Sequence, residues 1–232
     1  MDGDWVLTRK VALVGLPSSG KTLFVIGVTL ALAASKVGRM SPIHPDYCRI
    51  ADEAVAGISP RIATDASDAS YQLRLRQQRT IEFVEKVFTE QEFIHEPKSI
   101  AKALLKYDGL LLFLGRRSTG RGVKHLEQEV GGDAAVSTTA TRLAPVLDEL
   151  FRPWKLRRSV GFVMFVLTNT SLGQFSPADL KASVERVYVR ELRHLKKRKV
   201  ICSFHCMELI GEGIDLRGGL QDALDEILKR FA

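Results

Sequence analysis

The run Gly15-Leu16-Pro17-Ser18-Ser19-Gly20-Lys21-Thr22 sets two glycines, a lysine and a hydroxyl at the spacing G-x-x-x-x-G-K-[ST]. Glycine lets the backbone turn tightly, so that successive N–H groups converge and can hold the oxygens of a phosphate. Gly15, Pro17, Ser18, Ser19, Gly20 and, one residue past the motif, Leu23 are expected to surround that phosphate. Lys21 is expected to reach the β- and γ-phosphates of a nucleotide as a point charge, which makes it the candidate catalytic residue. Thr22 is expected to hold Mg²⁺ through its hydroxyl.

Such a loop needs a strand before it and a helix N-terminus after it, because the helix dipole adds to the pull on the anion. Both are predicted: Lys10 to Val14 is a short β-branched apolar run, and Leu23 to Ala34 is an apolar stretch of helical length. Next comes an irregular stretch over about 36–68, punctuated by Pro42, Pro45 and Pro60, within which Asp46 to Ala56 could form a helix. Ser70 to Arg76 and Arg79 to Glu85 alternate apolar with polar residues and predict a β-hairpin across Gln77-Gln78.

Pro97 to Lys106 predicts a helix, and Leu110 to Leu114 a central parallel strand. A Gly-rich loop or lid spans about 115–136, Ser137 to Phe151 predicts a helix, and Val160 to Leu167 a buried strand. Ser176-Pro177-Ala178-Asp179 starts a helix that should run to about Leu195. Val200 to Cys206 reads as the last strand and Gly219 to Phe231 as a closing helix. Strands alternating with helices predict one α/β domain over residues 1–232. Its sheet is mainly parallel and doubly wound, with one antiparallel hairpin strand and helices on both faces. Its ligand would lie at the carboxyl ends of the strands.

A length of 232 residues, 45% hydrophobic and 26% charged, is that of a globular chain rather than a disordered or fibrous one. Met1-Asp2-Gly3-Asp4 is acidic where a secretory leader is basic, and Leu23 to Ala34 is too short to cross a bilayer. A cytoplasmic protein without a membrane span is expected. Cys48, Cys202 and Cys206 give no disulfide framework. On a strand Cys202, Phe204 and Cys206 share one face, which reads as core rather than as a metal site.

The net charge of +7 is partly local, in Arg152, Lys155, Arg157 and Arg158 and again from Arg190 to Lys199. The second group either answers the dipole at a helix end or meets an acidic partner, nucleic acid or an anionic lipid surface. No aromatic residues interleave with it, which argues against a nucleic-acid partner.

The order of these elements resembles the Ras-like domain of the translation-factor class of P-loop GTPases across nearly the whole chain. The stretch YDGLLLFL ending at Leu114 is similar to that class's "aDgvllv" strand, and GEGIDLRGGLQDALDEIL resembles its "SA-x-tGeGi-eL" ending. The long insertion before the hairpin resembles bacterial double-GTPase-like proteins of conflict gene clusters. GL-x-x-SGKTL, from Gly15 to Leu23, resembles the signal-recognition-particle receptor β subunit.

The resemblance implies GTP or GDP with Mg²⁺, with ATP left open where the base is read. The family's metal-binding Asp falls at Glu85 in Glu85-Lys86-Val87-Phe88, and the Gly that should follow is missing. Asp52 and Asp65 are other acids for the metal, and Thr64 is placed as the hydroxyl of the first switch or as a turn cap. The base-reading stretch is Thr168-Asn169-Thr170-Ser171, where Asn169 and Ser171 could offer neutral hydrogen bonds but no carboxylate. Ser203 is placed to meet the other edge of the base. Gln91 and His95 could orient water, and Arg116, Arg117 or Arg121 could supply an arginine finger.

The function expected is a nucleotide-binding switch, a slow or partner-activated GTPase. The alternatives are a pseudo-GTPase interaction scaffold and, more weakly, an ATPase. A protein partner or activator is expected, and a homodimer across the nucleotide face is a second way to complete the site.

Overall fold

The computed structural model describes residues 7–17, 19–35, 37–42, 48–49, 52–53, 68–75, 79–114, 132–152, 160–168, 175–207 and 219–231. In chain order these form β1 (Leu7–Gly15), α1 (Lys21–Ser35), β2 (Gly38–Ser41), β3 (Ala69–Leu75), β4 (Arg79–Glu85), α2 (Glu90–His95) and α3 (Pro97–Leu104). They continue with β5 (Gly109–Phe113), α4 (Gly132–Phe151), β6 (Phe162–Thr168), α5 (Pro177–Val187), α6 (Val189–Lys197), β7 (Ile201–Met207) and α7 (Gly219–Phe231).

Continuous apolar runs become the inner strands, because a parallel strand is covered on both faces. The sheet order is β2-β3-β4-β1-β5-β6-β7, with β1 at the centre. Only β3 is reversed: it pairs antiparallel with β2 and with β4, while every other pairing is parallel. Alternation along β1 sorts the core into two layers. Val11 and Leu13 face α1 and α7, with Phe83, Phe113 and Met164 beside them. Ala12 and Val14 face the opposite layer, where α3, α4, α5 and α6 pack on Leu112 and Phe165. Phe24 of α1 is fully buried and meets Phe83 and Phe113 edge-on, at centroid distances of 6.3 and 5.6 Å. These contacts seat the helix that carries the loop.

Several expectations need correction. The stretch over 36–68 is not wholly irregular, since Gly38–Ser41 pairs with β3 from Gly38↔Leu75 to Ser41↔Gln72. Four residues with Met40 alone buried are too few to show a period of two. The long helix expected to Leu195 breaks at Tyr188, whose backbone (φ −102°, ψ 37°) leaves the helix while its ring is buried on Phe165 at 5.8 Å. A helix at Glu90–His95 went unread, although Thr89 and Glu92 form the reciprocal cap that T-x-x-E announces.

Elsewhere the elements fall where expected: β4 is Arg79–Glu85, α7 is Gly219–Phe231, and Cys202, Phe204 and Cys206 pack into one layer. Residues 48–49 and 52–53 are helical. Gln77-Gln78 and residues 115–131 of the Gly-rich loop lie outside the described residues, and α4 already begins at Gly132. Among the described residues no helix is long and apolar enough to cross a membrane.

Two features of the last strand and helix are testable. A methyl at Gly219 would come within 1.8 Å of the Cys206 carbonyl oxygen. Gly219→Ala is therefore expected to cost about 1–3 kcal/mol in urea unfolding, and an unchanged midpoint would contradict this packing.

Burial pulls the His205 imidazole below its ordinary 6.5, against the opposing pull of Asp222 and Glu226. In the window below 6.5 the unfolded chain then holds more protons than the folded one, so His205 makes stability fall as pH drops through that window. His205→Gln should flatten the acid-side loss measured between about pH 7 and about pH 5. An unaltered pH profile would refute it.

Candidate phosphate-binding site

β1 delivers its last residue, Gly15, against Phe113 of β5. A side chain there would meet Ser19 Oγ at 2.6 Å and the Phe113 carbonyl oxygen at 2.8 Å, so the first glycine is required by space. Gly20 is required by conformation, with φ +91°. Between them the loop closes through Ser19 N–H donating to the Leu16 carbonyl at 3.2 Å, and α1 starts with Phe24 N–H donating to Gly20 at 2.9 Å. The N-terminus of α1 thus opens directly from the loop.

Lys21 folds over its own loop. Its Nζ donates to the carbonyls of Gly15 and Leu16, both at 3.1 Å, which occupies two of the ammonium's three donors. The side chain is buried, and burial pulls its pKa down while the charge of Glu85 pushes it back up. Thr22 Oγ1 donates to Glu85 Oε1 at 2.7 Å, and both residues are buried. Glu85 ends β4, flanked by Leu13 of β1 and Ala69 of β3. On the neighbouring strand β3, burial and the Glu85 charge together push the Tyr71 phenol up to about 12.

The pair of Thr22 and Glu85 offers only oxygen donors, one of them anionic, which is the donor set a hard dication such as Mg²⁺ takes. It fits that ion better than zinc, which prefers nitrogen and sulfur. Among the described residues no three His, Cys, Asp or Glu cluster in a way that could hold a metal.

Thr168 is the residue that reading the sequence left without a role. At the carboxyl end of β6 its Oγ1 donates to the Ser19 carbonyl at 2.9 Å, and its Cγ2 lies 3.1 Å from where a Gly20 side chain would be. It ties the loop to the sheet beyond β5. The signal was its place at the start of Thr168-Asn169-Thr170-Ser171, a stretch read only for base contacts.

Other candidates fall elsewhere. Ser203 is not in a loop: it sits in the middle of β7 opposite Met164, its buried hydroxyl without a hydrogen-bond partner among the described residues. Gln91 and His95 are exposed on α2 and bonded to each other at 3.1 Å. Asp52 is exposed. Ser18, Thr64, Asp65, Arg116, Arg117, Arg121, Asn169 and Ser171 lie outside the described residues. Asp108 belongs to the far end of the sheet, where it accepts from Lys10 N–H at 2.8 Å and Arg9 at 3.0 Å and fastens β5 to β1.

The basic group on α6 is partly spoken for. Arg190 Nε lies 3.1 Å and His194 Nδ1 3.6 Å from Asp148 of α4, which Arg152 also reaches at 3.3 Å. Arg193, Lys196, Lys197 and Lys199 are exposed.

No family profile matches the chain, and no curated protein matches it either. Solved structures do. The signal recognition particle receptor SRb-GTP/SRX complex of Chaetomium thermophilum matches with a TM-score of 0.53 at 13% identity, over 90% of this chain and 94% of that one. The mammalian signal recognition particle receptor matches with a TM-score of 0.50 at 14% identity, over 97% and 100%. Identities this low speak to fold alone: the chain shares the α/β fold of these receptor structures.

The loop geometry makes two substitutions diagnostic. Thr168→Val strands the Ser19 carbonyl and should cost about 1–3 kcal/mol in chemical unfolding. Gly20→Ala forces a side chain to positive φ and should cost about as much, 1–3 kcal/mol. Wild-type midpoints in both variants would refute the account of the loop.

Proposed function

We propose that this chain is a nucleotide-binding protein, a slow or partner-activated GTPase that holds GTP or GDP with Mg²⁺ at the loop from Gly15 to Thr22. The observation that carries the reading is the 2.7 Å contact between Thr22 Oγ1 and Glu85 Oε1 at the mouth of a loop whose lysine is already folded inward. A phosphate chain entering there meets the amide groups of the loop and of the first turn of α1. Lys21 exchanges its carbonyl partners for phosphate oxygens, a trade that favours the charged amine over a buried neutral one. Thr22 and Glu85 would hold the metal, which would neutralise phosphate charge. Exposed Arg193, Lys196, Lys197 and Lys199 are the cations that an acidic partner would find.

A second reading, a pseudo-GTPase scaffold that holds its nucleotide without turning it over, is favoured by one observation. Lys86-Val87-Phe88 follows Glu85 with no glycine to let the backbone approach a γ-phosphate.

Titration of the protein with fluorescent GTP, GDP and ATP in Mg²⁺, together with a phosphate-release assay, tests both. GTP and GDP should bind, and Lys21→Ala should weaken binding by about tenfold or more, the worth of charge-assisted hydrogen bonds. Failure of the wild type to bind any of the three removes the nucleotide reading. Binding without phosphate release, with or without added cell extract as a source of activator, selects the scaffold.

A further inference from the structure

The carboxyl end of β4 is held by an ion pair that the phosphate site does not itself require. Ala69↔Glu85 is the last rung of the ladder between β3 and β4, so Asp68 and Lys86 face each other one step beyond it. Asp68 Oδ2 pairs with Lys86 Nζ, and Asp68 Oδ1 accepts from Val87 N–H at 3.3 Å. One carboxylate therefore takes both the side chain and the next amide of the chain leaving β4. Lys86 N–H also continues the pairing to β1, donating to Leu13 at 3.0 Å. The ammonium lies 5.4 Å from the centre of the Phe88 ring, and Phe88 meets Phe93 of α2 edge-on at 5.7 Å.

The burial is one-sided. The Lys86 side chain is 8% exposed and that of Asp68 is 42% exposed. A lysine held that deep needs its anion, because an unpaired ammonium is driven toward water. Were Asp68 neutral, Lys86 would be pulled outward and the end of β4 would move with it. The residue next to Lys86 is Glu85, whose carboxylate must stay within reach of Thr22.

We propose that Asp68 is a positioning residue for the metal carboxylate: by clasping Lys86 and the Val87 amide, it presets Glu85 toward Thr22 before any nucleotide arrives. The assignment rests on the nucleotide reading above. It adds a residue from the segment before β3, which no motif marks, and it gives the chain after Glu85 an anchor within the protein.

The test separates metal from phosphate affinity. Fluorescent GTP is titrated into wild type, Asp68→Asn and Asp68→Glu, in EDTA and across a Mg²⁺ series, and amide hydrogen exchange of residues 86–89 is followed without nucleotide. Ser176→Ala, which removes a helix cap on α5, is the control for simple loss of stability. Asp68→Asn should raise the Mg²⁺ midpoint by about tenfold to a hundredfold, as loss of a second-sphere support does. It should leave the EDTA affinity near wild type and speed exchange at 86–89, while Ser176→Ala does neither. Asp68→Glu keeps the charge and should fall between; if Asp68→Asn does not fold, Asp68→Glu alone must show a raised Mg²⁺ midpoint. An unmoved midpoint, or an equal loss in EDTA and in Mg²⁺, overturns the role of Asp68 while the nucleotide reading stands. A wild type that binds no GTP removes that reading and the role of Asp68 with it.

Discussion

Everything at the site depends on how closely three strand ends can be brought to one turn of backbone. Gly15 has β5 on one side and its own loop on the other, with less than 3 Å to spare for any added atom. Gly20 turns the chain back toward α1 in a conformation that side chains resist, and Thr168 pins that turn from β6. Loop, helix and sheet are therefore tied together through Gly15, Gly20 and Thr168.

Around that unit the charges are arranged economically. Lys21, Glu85 and Lys86 are all buried, and each is met by a partner from a different element: loop carbonyls, Thr22 of α1 and Asp68 before β3. Asp148 does the same for the opposite layer, drawing Arg152, Arg190 and His194 together across α4 and α6. Buried ions bring modest net stability, but a mispaired one is expensive, so such pairs fix geometry more than they add energy.

The parts legible in the sequence were those in which a local pattern carries a local cause. The motif from Gly15 to Thr22, the alternation in Arg79 to Glu85 and the cap at Ser176 needed no knowledge of what lay opposite in space. What escaped depended on distant partners. Thr168 serves the loop 149 residues away, and Asp68 meets Lys86 only because the β3–β4 ladder extends to Ala69↔Glu85 at the open end of the hairpin. Tyr188 breaks a helix because Phe165 of β6 gives its ring a buried place, a tertiary preference that no propensity records. Ser203 was matched to a base contact through the resemblance of the chain's ending, although the strand expected over Val200 to Cys206 already contained it, and in β7 it pairs with Met164 in mid-sheet. Base reading by Asn169 and Ser171 falls outside the described residues, as does Thr64.

The short strand β2 has a bearing on solubility as well as on shape. Without it, β3 would form the margin of the sheet, offering Gln72 to Leu75 as an unpaired edge beside the buried Leu73. Such an edge is a template for another chain. Four residues carrying an exposed Arg39 and Ser41 cover it and present a shorter, charged margin in its place, a common defence of natural sheets against edge-to-edge association. Part of the segment between α1 and the hairpin thus covers Gln72 to Leu75 of β3, which among the described residues would otherwise lack a neighbour on that side.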